Sequence, residues 1–142
     1  MDPIKNIEAS VALTVSVFQL QIATLTFIGS SRFRGQIINQ MKALADSLRK
    51  QVESMEQEVL GAIESGTEYQ LGMSAGFLNS LVEAREHDAP IPDELVELAK
   101  AGHRQVTATL SGVEKAEEEK TIARFAAVKQ KIKLLEEQIK RL

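Results

Sequence analysis

Catalytic or metal chemistry needs nucleophiles, imidazoles or convergent carboxylates, and the chain offers one dense group of them, Glu83, Glu86, His87 and Asp88. Glu83 and His87 stand four apart and would share a helical face. The helical di-iron pattern instead needs Glu-x-x-His, three apart, on paired helices with further glutamates, and the chain has no such pair. A histidine at a helix C-terminus is also accounted for by its favourable charge there. His87 and His103 are the only imidazoles, and there is no cysteine. Disulfides and thiolate metal sites are thereby excluded, and the compartment is left unconstrained. No local signature suggests a Ser-His-Asp arrangement. Gly72-Met73-Ser74-Ala75-Gly76 does not read as a phosphate loop, because no strand precedes it and no Gly-Lys-Ser/Thr follows. The expectation is a protein that is not an enzyme and uses no metal or cofactor.

Helices are the elements that would position any site. The chain has 142 residues, few prolines, one tyrosine, no tryptophan and many Ala, Leu, Glu, Lys and Gln. That length supports one domain with a sizeable core. Aromatics at 4% mean that an aliphatic core must do the packing, as in helical bundles.

The whole chain is organised around residues 9–31, which contain no charge. Val11, Leu13, Val15 and Val17 alternate as a strand would, but that phase breaks at Phe18 and again at Ala23. The helical reading keeps one phase throughout: Val11, Val15, Phe18, Ile22 and Leu25 step by 4, 3, 4 and 3. A second row, Leu13, Val17 and Leu20, lies on a neighbouring face. Asp2-Pro3 provides an N-cap and a first-turn proline, and Gly29 a stop. A helix that is apolar on most faces must be covered on most faces. The cover is the rest of the chain, other copies of it, or lipid. About 20 residues suffice to cross a bilayer, yet Gln19 and Gln21 would sit near its middle. Glutamines need partners on another helix. A signal peptide is disfavoured, since MDPIKNIE has no positive bias and the glutamines interrupt the apolar run.

Further along, Ile37, Met41, Leu44, Leu48, Val52 and Met55 make a narrow stripe for a helix over 36–65, with Glu53 and Glu56 on the opposite, charged face. Gly66 would end it, and Thr67 with Gln70 would cap a third helix running to about Glu86. Gly72 and Gly76, four apart, suggest close helix packing there. His87 to Asp93, with two prolines, reads as a turn. From Asp93 onward the chain is helical again, with a break or kink near 111–112. Its end is the sharpest pattern in the molecule: Phe125, Val128, Ile132, Leu135, Ile139 and Leu142 step by 3, 4, 3, 4 and 3. These are the a and d positions of a coiled-coil heptad, although a contact within the chain's own bundle would use the same seam.

The expected fold is all-α: an elongated bundle of four to five helices forming a single domain. It comprises an apolar helix over 1–31, a helical hairpin over 32–86 and a long helix over 93–142. The net charge of −3 disfavours nucleic acid, which calls for a dense basic patch. Two functions fit. One is a self-assembling structural or scaffold protein, a filament, ring or bundle, with the 11–25 face in an oligomeric core. The other is a membrane- or lipid-surface protein anchored by 9–28 and oligomerising through its C-terminal coiled coil. A positive flank at Arg32 and Arg34 suits the second. An accessory subunit of a larger complex would use the same surfaces with another partner.

Overall fold

The computed structural model describes Asp2–Leu142, and these residues are about 90% helical with no strand. Three helices account for them: α1 Pro3–Leu25, α2 Ser31–Glu86 and α3 Asp93–Lys140. The all-α class therefore stands, but the expected four to five helices reduce to three. Gly66 and Gly112 both lie inside continuous helix and neither has a positive φ. Glycine in a helix interior costs about 1 kcal/mol relative to alanine. That is too little to interrupt a ladder anchored by many residues on either side. Thr67 does not cap a new helix; its Oγ1 donates to the Ile63 carbonyl one turn back, at 3.2 Å.

The true ends carry recognisable chemistry. Asp2 Oδ1 accepts from the amides of Ile4 (3.0 Å) and Lys5 (3.4 Å), so Pro3 enters the first turn without an unsatisfied donor. The hydroxyls of Thr14, Ser16 and Thr24 donate to carbonyls of α1 itself, which lets a stretch rich in Ser and Thr stay helical. Ser30 Oγ accepts from the amide of Phe33 at 3.3 Å and starts α2. α2 closes in a Schellman arrangement: the amide of Ala89 donates to the Ala84 carbonyl and that of Asp88 to the Arg85 carbonyl. Asp88 adopts the left-handed conformation this requires, with φ 66°, a conformation aspartate tolerates better than most residues. Across the turn, Arg85 pairs with Asp93 at 2.6 Å.

The helices sort into two compact units. Unit 1 comprises the chain up to Glu58 together with Thr121–Leu142, and unit 2 comprises Val59–Lys120. In unit 1, contacts of α1 with Arg124 near its start and Gln138 further on show α1 and α3 running parallel. Pairs Arg49–Glu136 and Glu56–Lys129 show α2 running antiparallel to α3. The core of this three-helix arrangement joins Phe18 and Leu25 of α1, Met41 and Ala45 of α2, and Leu135 and Ile139 of α3. Phe125, Val128 and Ile132 extend it along α3.

One charged residue sits inside. Glu56 is buried in α2, four residues beyond the buried Val52, and not on the solvent face expected for it. Lys129 Nζ donates to Glu56 Oε1 at 3.1 Å, while Oε2 is buried without a partner. Correspondingly, Ala45 is buried where Leu44 was expected, and Leu44 is exposed. Unit 2 is a hairpin whose only residue buried as deeply as those of unit 1 is Val96. Its two helices are tied by a 2.8 Å hydrogen bond between Ser74 Oγ and His103 Nδ1.

Two stability measurements check this account. A Cβ added at Gly66 or Gly112 meets nothing within 4 Å, so Gly66→Ala and Gly112→Ala should each stabilise the fold by about 0.5–1 kcal/mol in urea titrations. Removing the cation that faces a buried carboxylate leaves the charge unpaired. Lys129→Ala should therefore lower the urea midpoint clearly more than Lys131→Ala, whose side chain is on the exposed side of the same helix.

Candidate functional site

α1 carries two apolar faces, and the structure uses one. Ile4, Val11, Phe18 and Leu25, each seven residues from the next, are buried. Val15 and Ile22 are partly buried and pack against the core. The face expected to meet other copies or lipid, Val11, Val15, Phe18, Ile22 and Leu25, is thus placed inward, against α2 and α3 of the same chain. The second row points the other way. Leu13 is 69% exposed, Val17 55%, Leu20 67% and Phe27, just beyond the helix, 89%. At 100° per residue, Leu13 and Leu20 lie nearly opposite Val11 and Phe18. With no charge in residues 9–31, this outward strip is an uncharged, largely apolar surface from Leu13 to Phe27. α1 is also long and apolar enough to cross a bilayer by length and composition.

Polar side chains hold α1 at a few points. Asp2 presents its second oxygen to Arg124 of α3, at 2.8 Å from Nη1, and the other guanidinium nitrogen of Arg124 donates to Glu8. One arginine therefore clasps both acids of α1. The Arg124 guanidinium holds the Asp2 carboxyl below its ordinary value; partial desolvation opposes this and the Lys5 and Ile4 amides reinforce it. Gln19 Nε2 donates to Gln138 Oε1 at 3.5 Å, a long contact, and Gln21 Oε1 is buried without a partner. On α2, Asp46 is held low by Lys50 and then Arg49. Arg49 also lies 3.4 Å from Glu136 as an ion pair without hydrogen-bond geometry.

The remaining residues singled out in the sequence are placed as follows. Phe125, Val128, Ile132, Leu135 and Ile139 are all buried, and Leu142, beyond the end of α3, is exposed. Gly72 and Gly76 are exposed, and a Cβ at either would meet nothing within 4 Å, so neither lies against another helix of the chain. Glu83, Glu86, His87 and Asp88 are exposed at the end of α2. Among the described residues no group of three or more His, Cys, Asp or Glu side chains is arranged to hold a metal ion. A groove of about 470 Å³ between α2 and α3 of unit 1 is rimmed by Lys42, Lys133 and Lys140 with Glu136 and Glu137, alternating charges that converge on no single point. Sequence periodicity missed Arg124 and Glu56, because their partners are remote in the chain. The exposed row of α1 was legible as a row, though not as the outward one.

No protein-family model matches this chain, and no curated protein or solved structure is significantly similar to it.

A carboxyl held below its unfolded value adds stability that is present above that value and lost as pH falls through the folded one. For Asp2 the loss begins as pH drops below 3.8. Asp2→Asn should therefore be less stable than the parent at neutral pH, and the difference should vanish in strong acid. Urea midpoints measured across pH test this, with hydrogen exchange at the start of α1 reporting the local loosening.

Proposed function

We propose that this chain is a self-associating structural protein that uses the outward face of α1 as its contact surface. The observation that carries the reading is the row of Leu13, Val17 and Leu20, continued by Phe27 just past the helix end, all largely exposed in a segment without charge. Exposed contiguous apolar surface of this kind marks an interaction site, and burial at about 25 cal/mol per Å² drives it toward a cover. A protein cover also suits the exposed Ser16 and Thr24 that interrupt the strip, since their hydroxyl oxygens can still accept across a helix interface. The buried seam of α3, with its coiled-coil spacing, then serves as the scaffold that holds α1 in place.

A lipid surface is the second reading, favoured by the span-like length and composition of α1 and by Arg32 and Arg34 just after it. Full insertion would strip Val11, Phe18 and Leu25 from the core, a loss that self-association through the outward face avoids. An accessory role in a larger complex would use the same face with another partner.

Sedimentation of the full chain, with and without mild detergent and with liposomes, tests the proposal. The expected result is a species heavier than one chain without detergent, little partition to liposomes, and a monomer for Leu13→Lys combined with Leu20→Lys. A wild-type monomer that moves quantitatively to liposomes would overturn it in favour of the lipid reading.

A further inference from the structure

Unit 2 carries an apolar surface of its own. Tyr69, Met73 and Phe77, spaced by four on α2, are 71%, 61% and 63% exposed. On α3, Leu98, Val106 and Val113 are exposed as well. Ser74 and His103 face one another across the hairpin. With that register, helical periodicity sets Met73 and Phe77 on the same side as Val106 and Val113. This side of the hairpin is a surface of large apolar side chains.

The charges divide between the two units. Unit 1 holds twelve basic and eight acidic side chains, net +4, and unit 2 holds five basic and twelve acidic, net −7. Pairing α1 with α1 of another copy would bring two positive units together. Pairing two unit 2 hairpins would bring two strongly negative ones together. Only the mixed contact joins apolar surface to apolar surface and opposite charge to opposite charge, the arrangement that steers association and suppresses wrong pairings.

We propose that copies of this chain associate head to tail, the outward face of α1 in one copy seating on the apolar side of the unit 2 hairpin in the next. This rests on the self-association reading and specifies its geometry. The contact is heterologous, so each copy offers one α1 face and one hairpin face, and the assembly extends into a filament or closes into a ring. Because the two units carry opposite net charge, added salt weakens the contact; a contact between like units would strengthen instead.

Two full-length variants test the geometry, each altered only at exposed positions: Leu13→Lys with Leu20→Lys, and Met73→Glu with Phe77→Glu. Circular dichroism, together with serine at the same positions in place of the charges, separates loss of the contact from loss of the fold. Analytical ultracentrifugation of each variant alone should show monomers. An equimolar mixture should form a one-to-one dimer, because each variant supplies the face the other lacks, and raising the salt should dissociate it. If the hairpin variant assembles like the wild type while the α1 variant does not, the contact is α1 on α1: the head-to-tail geometry falls and self-association survives. Two monomeric variants that fail to combine also overturn the geometry. A wild-type chain that is itself monomeric removes the self-association reading together with it.

Discussion

The packing of one face of α1 against α2 and α3 is the constraint on which unit 1 depends. Ile4, Val11, Phe18 and Leu25 recur every seven residues and are buried, Phe18 and Leu25 in a core shared with Met41, Ala45, Leu135 and Ile139. Two helices lying side by side can cover only part of the circumference of a third. A helix that is uncharged all the way round from Ala9 onward must then leave an apolar far side open, and Leu13, Val17 and Leu20 occupy that side. The same burial that orders the unit therefore produces its exposed surface.

Polar contacts set orientation in this unit more than they set stability. Arg124 clasps Asp2 and Glu8, fixing where α1 begins against α3, and Asp2 at the same time caps its own helix. Side chains this exposed are screened by water, and such pairs contribute little free energy individually. Glu56 with Lys129 is the costlier feature, a carboxylate inside an apolar seam with one oxygen unpaired. A buried ionic group of this kind penalises slipped registers, in which the charge would lose its partner.

Unit 2 contrasts with unit 1. Its hairpin buries few residues deeply, carries a net −7 and leaves several large apolar side chains in water. A two-helix hairpin has no third helix to cover its flanks, so its apolar residues are shared between the seam and the surface. The positive unit 1 and negative unit 2 are built from the same two long helices, which makes the charge division a property of position along each helix.

The sequence by itself determined the helical class, the loop at His87–Asp93, the capping of α1 by Asp2, and the apolar seam of α3 from Phe125 to Ile139, though not whether that seam meets this chain's own helices or another copy. All of these rest on local chemistry or on a repeat long enough to leave one phase. It also showed two apolar rows on α1, but not which one turns inward, since both are apolar and the choice depends on the shape offered by α2 and α3. Only the tertiary structure decided that Gly66 and Gly112 are passed without a break, because flanking turns and packing outweigh a penalty of about 1 kcal/mol at each glycine. Only it placed Glu56 inside and Arg124 beside Asp2, for these depend on charges more than 70 residues away in sequence meeting in space. Periodicity reads what a helix can bury; the neighbours that fold against it settle what it does bury.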